Sequence, residues 1–209
     1  MYYSVVCYPQ LASKLSESID AIRRDYDPSW RLIEPHVDIC FPATNRLDEK
    51  LLANHVEHVL SDWSPFVIQL GGLHKSRDHW LFLTLREGAD EIKRLHREMY
   101  TGYLAKYKKE PGKPGYDPMP HLGLGLFLQQ GCTYDWRNPR ESDFDHERYE
   151  EAMRRAEALP LPADVLVERL HITAIPDVVI EWTSGKRVDF PGDAEMIAVR
   201  EFCLGQKGE

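Results

Sequence analysis

A short pattern written twice constrains this 209-residue chain more than any other feature. Pro35-His36-Val37-Asp38-Ile39-Cys40-Phe41 and Pro120-His121-Leu122-Gly123-Leu124-Gly125-Leu126 each place a histidine after a proline and continue with apolar residues at alternate positions. Proline cannot donate to a sheet ladder, so it marks where a strand begins. Side chains alternate across a strand, so Val37, Ile39 and Phe41 share one face and His36, Asp38 and Cys40 the other. In the second copy Leu122, Leu124 and Leu126 bury one face, and His121, Gly123 and Gly125 share the opposite one. Each strand therefore anchors through an aliphatic face and presents a histidine on its polar or small face. A lone Pro-His pair is common and often only caps a strand; its recurrence 85 residues later, again after a strand and a helix, carries the signal.

The rest of the chain alternates strands and helices. Residues 2–8, rich in Tyr and Val and closed by Pro9, read as a strand, and 11–24 as a helix with Leu11, Leu15, Ile19 and Ile22 on one side. A strand is predicted over 32–41, a helix over 47–60, and two strands over 66–73 and 79–85 joined by a polar turn. A long charged helix over 89–107 leads to a Pro- and Gly-rich loop over 108–120. A strand over 121–128, a helix over 145–159, a strand over 165–175 and short strands within 187–204 complete the reading. The expected class is α+β with mostly antiparallel sheet, in one domain over 1–209.

Composition bounds the function. The chain holds 26 Lys and Arg against 34 Asp and Glu, a net charge of −8 with neutral histidines. That excludes a protein that coats duplex nucleic acid, which needs a basic excess, but not one that binds a small anion in a local pocket. The four cysteines, Cys7, Cys40, Cys132 and Cys203, are widely spaced, and Cys7 and Cys40 lie in apolar runs as small core residues would. With no signal peptide and no apolar stretch of about 18 residues, a soluble cytoplasmic protein without a membrane partner is expected. No metal or other cofactor is expected: HExxH spacing, a Cys cluster, a Gly-rich phosphate loop and a GxSxG elbow are all missing. His55, His58, His74, His79, His96 and His146 read as surface helix or turn residues.

The repeated strands, in this order of elements, resemble those of the 2H phosphoesterases, which include the 2'-5' RNA ligase-like proteins and cyclic phosphodiesterases. The resemblance spans nearly the whole chain: the opening strand ending Tyr8-Pro9, the helix after it, both Pro-His strands and the hairpin over 64–85. It implies a bilobal fold, two pseudo-twofold-related, antiparallel-rich sheets with helices outside and a central cleft, each lobe giving a His-x-Thr/Ser strand to that cleft, with His36 and His121 as the catalytic histidines. Two imidazoles across a phosphodiester can divide the work, one taking a proton from water and the other protonating the leaving oxygen. The implied partner is a small nucleotide or RNA end carrying a 2',3'-cyclic phosphate or a 2'-5' phosphodiester.

Two departures from the family pattern stand beside this. Where the family has hydroxyls that hold phosphate oxygens, this chain has Asp38 and Gly123; losing one such donor commonly costs about 10²–10³ in rate. The intact spelling occurs only at His171-Ile172-Thr173, whose strand would align Arg169, His171 and Thr173. These three, with Asp38 and Gly123, are the candidate substrate-binding residues, the polar face of 169–173 supplying donors that Asp38 and Gly123 do not. Lys106, Lys108, Lys109 and Lys113, with Tyr103, Tyr107 and Tyr116, form a candidate electrostatic approach to the site. The alternative function is a weakened homologue that binds nucleotide or RNA ends without turnover; a metal-dependent hydrolase has less support.

Overall fold

The computed structural model describes residues 1–42, 44–107, 118–136, 138–187 and 189–205. Strand β1 (Tyr2–Cys7) leads into helix α1 (Ser13–Tyr26), then β2 (Val37–Cys40) and α2 (Glu49–Leu60). The hairpin β3 (Phe66–Lys75) and β4 (Trp80–Glu87) precedes α3 (Ala89–Met99), and β5 (His121–Leu126) precedes α4 (His146–Glu157). Strands β6 (Ala163–Val167) and β7 (Arg169–Ile175), helix α5 (Asp177–Thr183) and strand β8 (Ile197–Cys203) follow. The strands lie in the order β6-β3-β4-β5-β2-β1-β7-β8, and every pairing is antiparallel. The α+β antiparallel architecture expected from the sequence is present. The seam between β5 and β2 divides the sheet into two sets of four strands, whose ladders meet at one residue pair, Val37 with Leu122.

The halves share an internal symmetry. β1-α1-β2 and β4-α3-β5 are both strand–helix–strand units whose strands lie side by side, antiparallel. Each helix packs across the seam: α1 against β5, and α3 against β2. Both inner strands also carry an extra residue at the same place. Val5 pairs with Cys40 and Val6 with Asp38, leaving Ile39 unmatched; Leu81 pairs with Gly125 and Phe82 with Gly123, leaving Leu124 unmatched. Each bulge thus falls three residues after the histidine, and a bulge re-aims the side chains beyond it. This corrects strict alternation: Cys40 is buried, and a Cβ on Gly125 would strike Tyr26 at 2.7 Å. His36 and Asp38, and His121 and Gly123, precede the bulges and keep their shared faces.

Helices α1 to α4 cover one side of the strands, and α5 lies on the other. α1 contributes Leu15, Ile19 and Ile22 at helical spacing, and α2 contributes Leu52, Val56 and Leu60 to the same core. Asp48 caps α2 through the Leu51 N–H and Asp145 caps α4 through the Arg148 N–H. Burial pushes the Cys7 and Cys40 thiols up to about 12, so both act as apolar core groups.

Other expectations are corrected. The strand expected over 32–41 starts only at Val37, because residues 27–33 turn back on themselves, with the Trp30 N–H on the Asp27 carbonyl and the Ile33 N–H on the Ser29 carbonyl. The long helix over 89–107 stops at Met99 and resumes as a 3-10 turn at Gly102–Tyr107; Gly102 has φ +45, and a Cβ there would press on the His55 ring at 3.3 Å. The strand expected over 165–175 divides at Glu168 into β6, paired with β3, and β7, paired with β1 at the far side of the sheet. Helix α5 falls in a stretch with no element assigned from the sequence. His55 and His79 are buried, each bonded to a backbone carbonyl, rather than lying on the surface.

Candidate active site

The pair Val37–Leu122 sets the register of the seam. In an antiparallel pair of this register, His36 stands across from Gly123 and Asp38 across from His121. Val37 and Leu122 point into the core, both fully buried, so the other four positions share the opposite face. All four line a single cavity of about 400 Å³. The repeat read from the sequence is thus brought together at one place, each family hydroxyl position lying opposite the histidine of the other strand.

Both imidazoles are held alike. His36 Nδ1 lies 2.9 Å from the Glu34 carbonyl and His121 Nδ1 lies 2.7 Å from the Met119 carbonyl. A carbonyl only accepts, so Nδ1 carries the hydrogen in each ring and Nε2 is left for chemistry. The prolines explain the geometry: Pro35 and Pro120 fix the chain so that the carbonyl two residues before each histidine faces its ring. His36 Nε2 is 3.9 Å from Asp38 Oδ1. Phe82 stacks on the His121 ring, centroids 3.6 Å apart. Burial draws the His121 pKa below its ordinary value, and the nearby His36 adds to the fall; the Met119 carbonyl and the Asp38 carboxylate oppose it.

The remaining candidates lie elsewhere. Arg169, His171 and Thr173 project from β7 and are not in the cavity wall. Thr173 is 0% exposed, its Oγ1 3.2 Å from the Tyr8 hydroxyl. His171 pairs through Nε2 with Glu201 at 3.1 Å, and Arg169 sits beside Glu168 and Glu201. Tyr8 links this group to the cavity, its ring edge-on to His171 at 4.9 Å and to His36 at 6.4 Å. Lys106 lies over the Tyr107 ring at 5.0 Å, while Lys108, Lys109, Lys113 and Tyr116 fall outside the described residues.

Sequence reasoning missed much of the cavity wall. Trp80, Tyr134, Trp182 and Phe190 bring aromatic faces, and Arg23, Asp27 and Ser29 form a polar corner. Trp80 donates Nε1–H to the Tyr134 hydroxyl at 2.9 Å, which in turn lies 3.1 Å from Asp78 Oδ2. Two signals were available. Trp80 and Phe82 alternate on β4, and Arg23 stands four residues after Ile19 in the apolar stripe of α1 with Asp27 one turn further on.

A pseudo-symmetric antiparallel sheet with a two-histidine cavity at its seam matches what the resemblance to the 2H phosphoesterases implies. The chain belongs to the 2'-5' RNA ligase superfamily, whose family model matches residues 11–177. A Bacillus licheniformis protein named "Putative phosphoesterase" is 26% identical over 130 residues, 61% of this chain and 72% of that one. A Bacillus cereus protein of the same name is 25% identical over 132 residues, 61% of this chain and 71% of that one. Among solved structures, E. coli LigT complexed with 3'-AMP superposes with TM-score 0.54 at 12% identity, over 98% of both chains. A phosphoesterase crystal structure gives 0.56 at 12% identity, over 98% of this chain and 99% of that one. At such identities the structural likeness speaks to the fold.

Proposed function

We propose that this phosphoesterase-family protein opens a 2',3'-cyclic phosphate, or cleaves or joins a 2'-5' phosphodiester, on a nucleotide or RNA end, without a metal. The observation that carries the reading is the seam: two imidazoles, each with Nδ1 committed to a carbonyl, line one cavity across a single residue pair. In the hydrolytic direction, His121 Nε2 takes a proton from water as the water oxygen bonds to phosphorus. The P–O3' bond breaks, which leaves phosphorus on O2' as a 2'-5' linkage does, and His36 Nε2 hands a proton to the departing oxygen. His121 suits the base role because its burial disfavours the charged ring. His36, beside Asp38, takes the acid role. Each proton transfer of this kind is worth about 10²–10⁴-fold. The aromatic wall suits the faces of a base.

Asp38 and Gly123 border the phosphate in this reading. His171 and Thr173 act through Tyr8, whose hydroxyl Thr173 holds and whose ring meets both His171 and His36 edge-on. Arg169 is a further substrate-binding candidate at the edge of that face. We read the chain as one domain of two lobes. A second reading, binding of nucleotide or RNA ends without turnover, is favoured by Asp38 and Gly123 at the two hydroxyl positions.

Incubation with a 2',3'-cyclic nucleotide in EDTA separates the two. Appearance of the monophosphate, lost when His36 and His121 are both replaced by Ala, is the expected result. Binding without product supports the second reading, and EDTA-sensitive turnover would point to a metal.

A further inference from the structure

Arg23 is a buried charge that the two-histidine mechanism leaves unused. It lies in the apolar stripe of α1 and is 2% exposed, yet it lines the same cavity as His36 and His121. Nε donates to Asp27 Oδ2 at 2.8 Å and Nη2 to the Ile33 carbonyl at 2.8 Å, while the buried Nη1 has no partner among the described residues. A buried donor left unmade is expensive, and the rest of the side chain is fixed by bonds on two sides. Asp27 needs nothing further: its Oδ1 accepts from both the Ser29 N–H, at 2.8 Å, and the Ser29 hydroxyl, at 2.6 Å. The corner therefore offers an unmet donor and has its own acceptors engaged.

The same cavity has flat walls whose polar tips are also spent. Trp80 Nε1–H is taken by the Tyr134 hydroxyl, which is bonded in turn to Asp78, so these rings present faces rather than hydrogen bonds. A planar group seated among them meets a directional request from Arg23 Nη1, which calls for a hydrogen-bond acceptor. A carbonyl oxygen on a base edge answers it. Adenine offers only ring nitrogens, weaker acceptors than a lactam carbonyl with one in-plane lone pair each, and the N1 on its six-membered-ring edge sits beside an amino group whose N–H bonds would face a donor.

We propose that Arg23 is a specificity-determining residue, donating from Nη1 to a carbonyl oxygen of the base, so that guanine, uracil and cytosine are favoured over adenine. This rests on the nucleotide reading above and adds to it which bases the cavity accepts. Arg23 acts on recognition, apart from the proton transfers at the histidines.

The test measures kcat/KM for the four 2',3'-cyclic nucleotides and Kd for the four 3'-monophosphates, in wild type and Arg23→Lys. The lysine keeps a positive charge beside Asp27 but lacks the second terminal nitrogen. Wild type is expected to prefer the carbonyl-bearing bases by about tenfold or more, and Arg23→Lys to flatten the ratio. If the variant does not fold, wild-type binding of inosine against purine-riboside 3'-monophosphate tests the same contact, because purine riboside lacks the 6-carbonyl. Equal binding of all bases overturns the inference even where turnover is robust. A carbonyl preference without turnover upholds Arg23 and contradicts the hydrolytic reading. No binding of any nucleotide overturns both.

Discussion

His36 and His121 reach their cavity by the same local route: a proline, a ring bonded through Nδ1 to the carbonyl two residues back, and a bulge three residues on. That equivalence extends to the positions facing them, where the symmetry of charge is broken. Asp38 raises the His121 pKa while burial lowers it. With neutral His121 as the proposed base, activity is lost as pH falls through its depressed value. Replacing Asp38 with Asn removes an influence that favours the charged ring, and the acidic limb of the kcat/KM profile therefore moves to lower pH; a limb that moves to higher pH would contradict the assignment. Gly123 offers a different test. A Cβ there meets Trp80 no closer than 3.5 Å, an ordinary contact, so a serine fits. Gly123→Ser restores a hydroxyl beside the phosphate and is expected to raise kcat for a cyclic nucleotide by about tenfold or more, within the range such donors command. An unchanged or lower kcat in a folded variant would show that a side-chain donor is not what this position lacks.

At the scale of elements, the seam between β5 and β2 is where packing and chemistry coincide. Leu122 is 0% exposed and pairs with Val37 immediately beside both histidines. Leu122→Ala is expected to lower the unfolding free energy by about 2–5 kcal/mol, read from denaturant melts. Leu166→Ala on outer strand β6, about half exposed, should change it by less than about 1 kcal/mol. Similar losses at the two sites would deny the seam its place in the core. Much of this level was legible in the sequence. Period-two patterning placed β2 and β5, and the spacing of Leu15, Ile19 and Ile22 placed α1, because burial of one face leaves a period behind. The bulges left no such trace. An extra residue in a run of alternating apolar and small groups looks like more strand, so Cys40 and Gly125 were assigned to the wrong side. The division at Glu168 was equally silent, since two strands abutting without a turn signal read as one. Arg23 was hidden for the opposite reason: a charge on a helix ordinarily faces water, and only its partner Asp27 reveals that it does not.

The whole molecule adds what neither residues nor elements show alone. The cavity draws walls from distant parts of the chain, and Trp182, Phe190 and Met196 come from beyond the 11–177 stretch that the family model matches. No periodicity announces such a wall, because its residues lie in a short helix and irregular segments that acquire meaning only when folded over the seam. The net charge of −8 fits this enclosure: a surface repelling long polyanions suits the proposed recognition of a single phosphate held inside. Among the described residues no helix is long and apolar enough to cross a membrane. The central claim is that His36 and His121 work as one unit on one phosphate. A double-mutant cycle on kcat for a 2',3'-cyclic nucleotide tests it most directly. Each histidine replaced alone by Ala should cost about 10²–10⁴-fold, and the double variant should be little worse than the poorer single one. Losses that multiply, or a single variant that keeps wild-type kcat, would contradict the account.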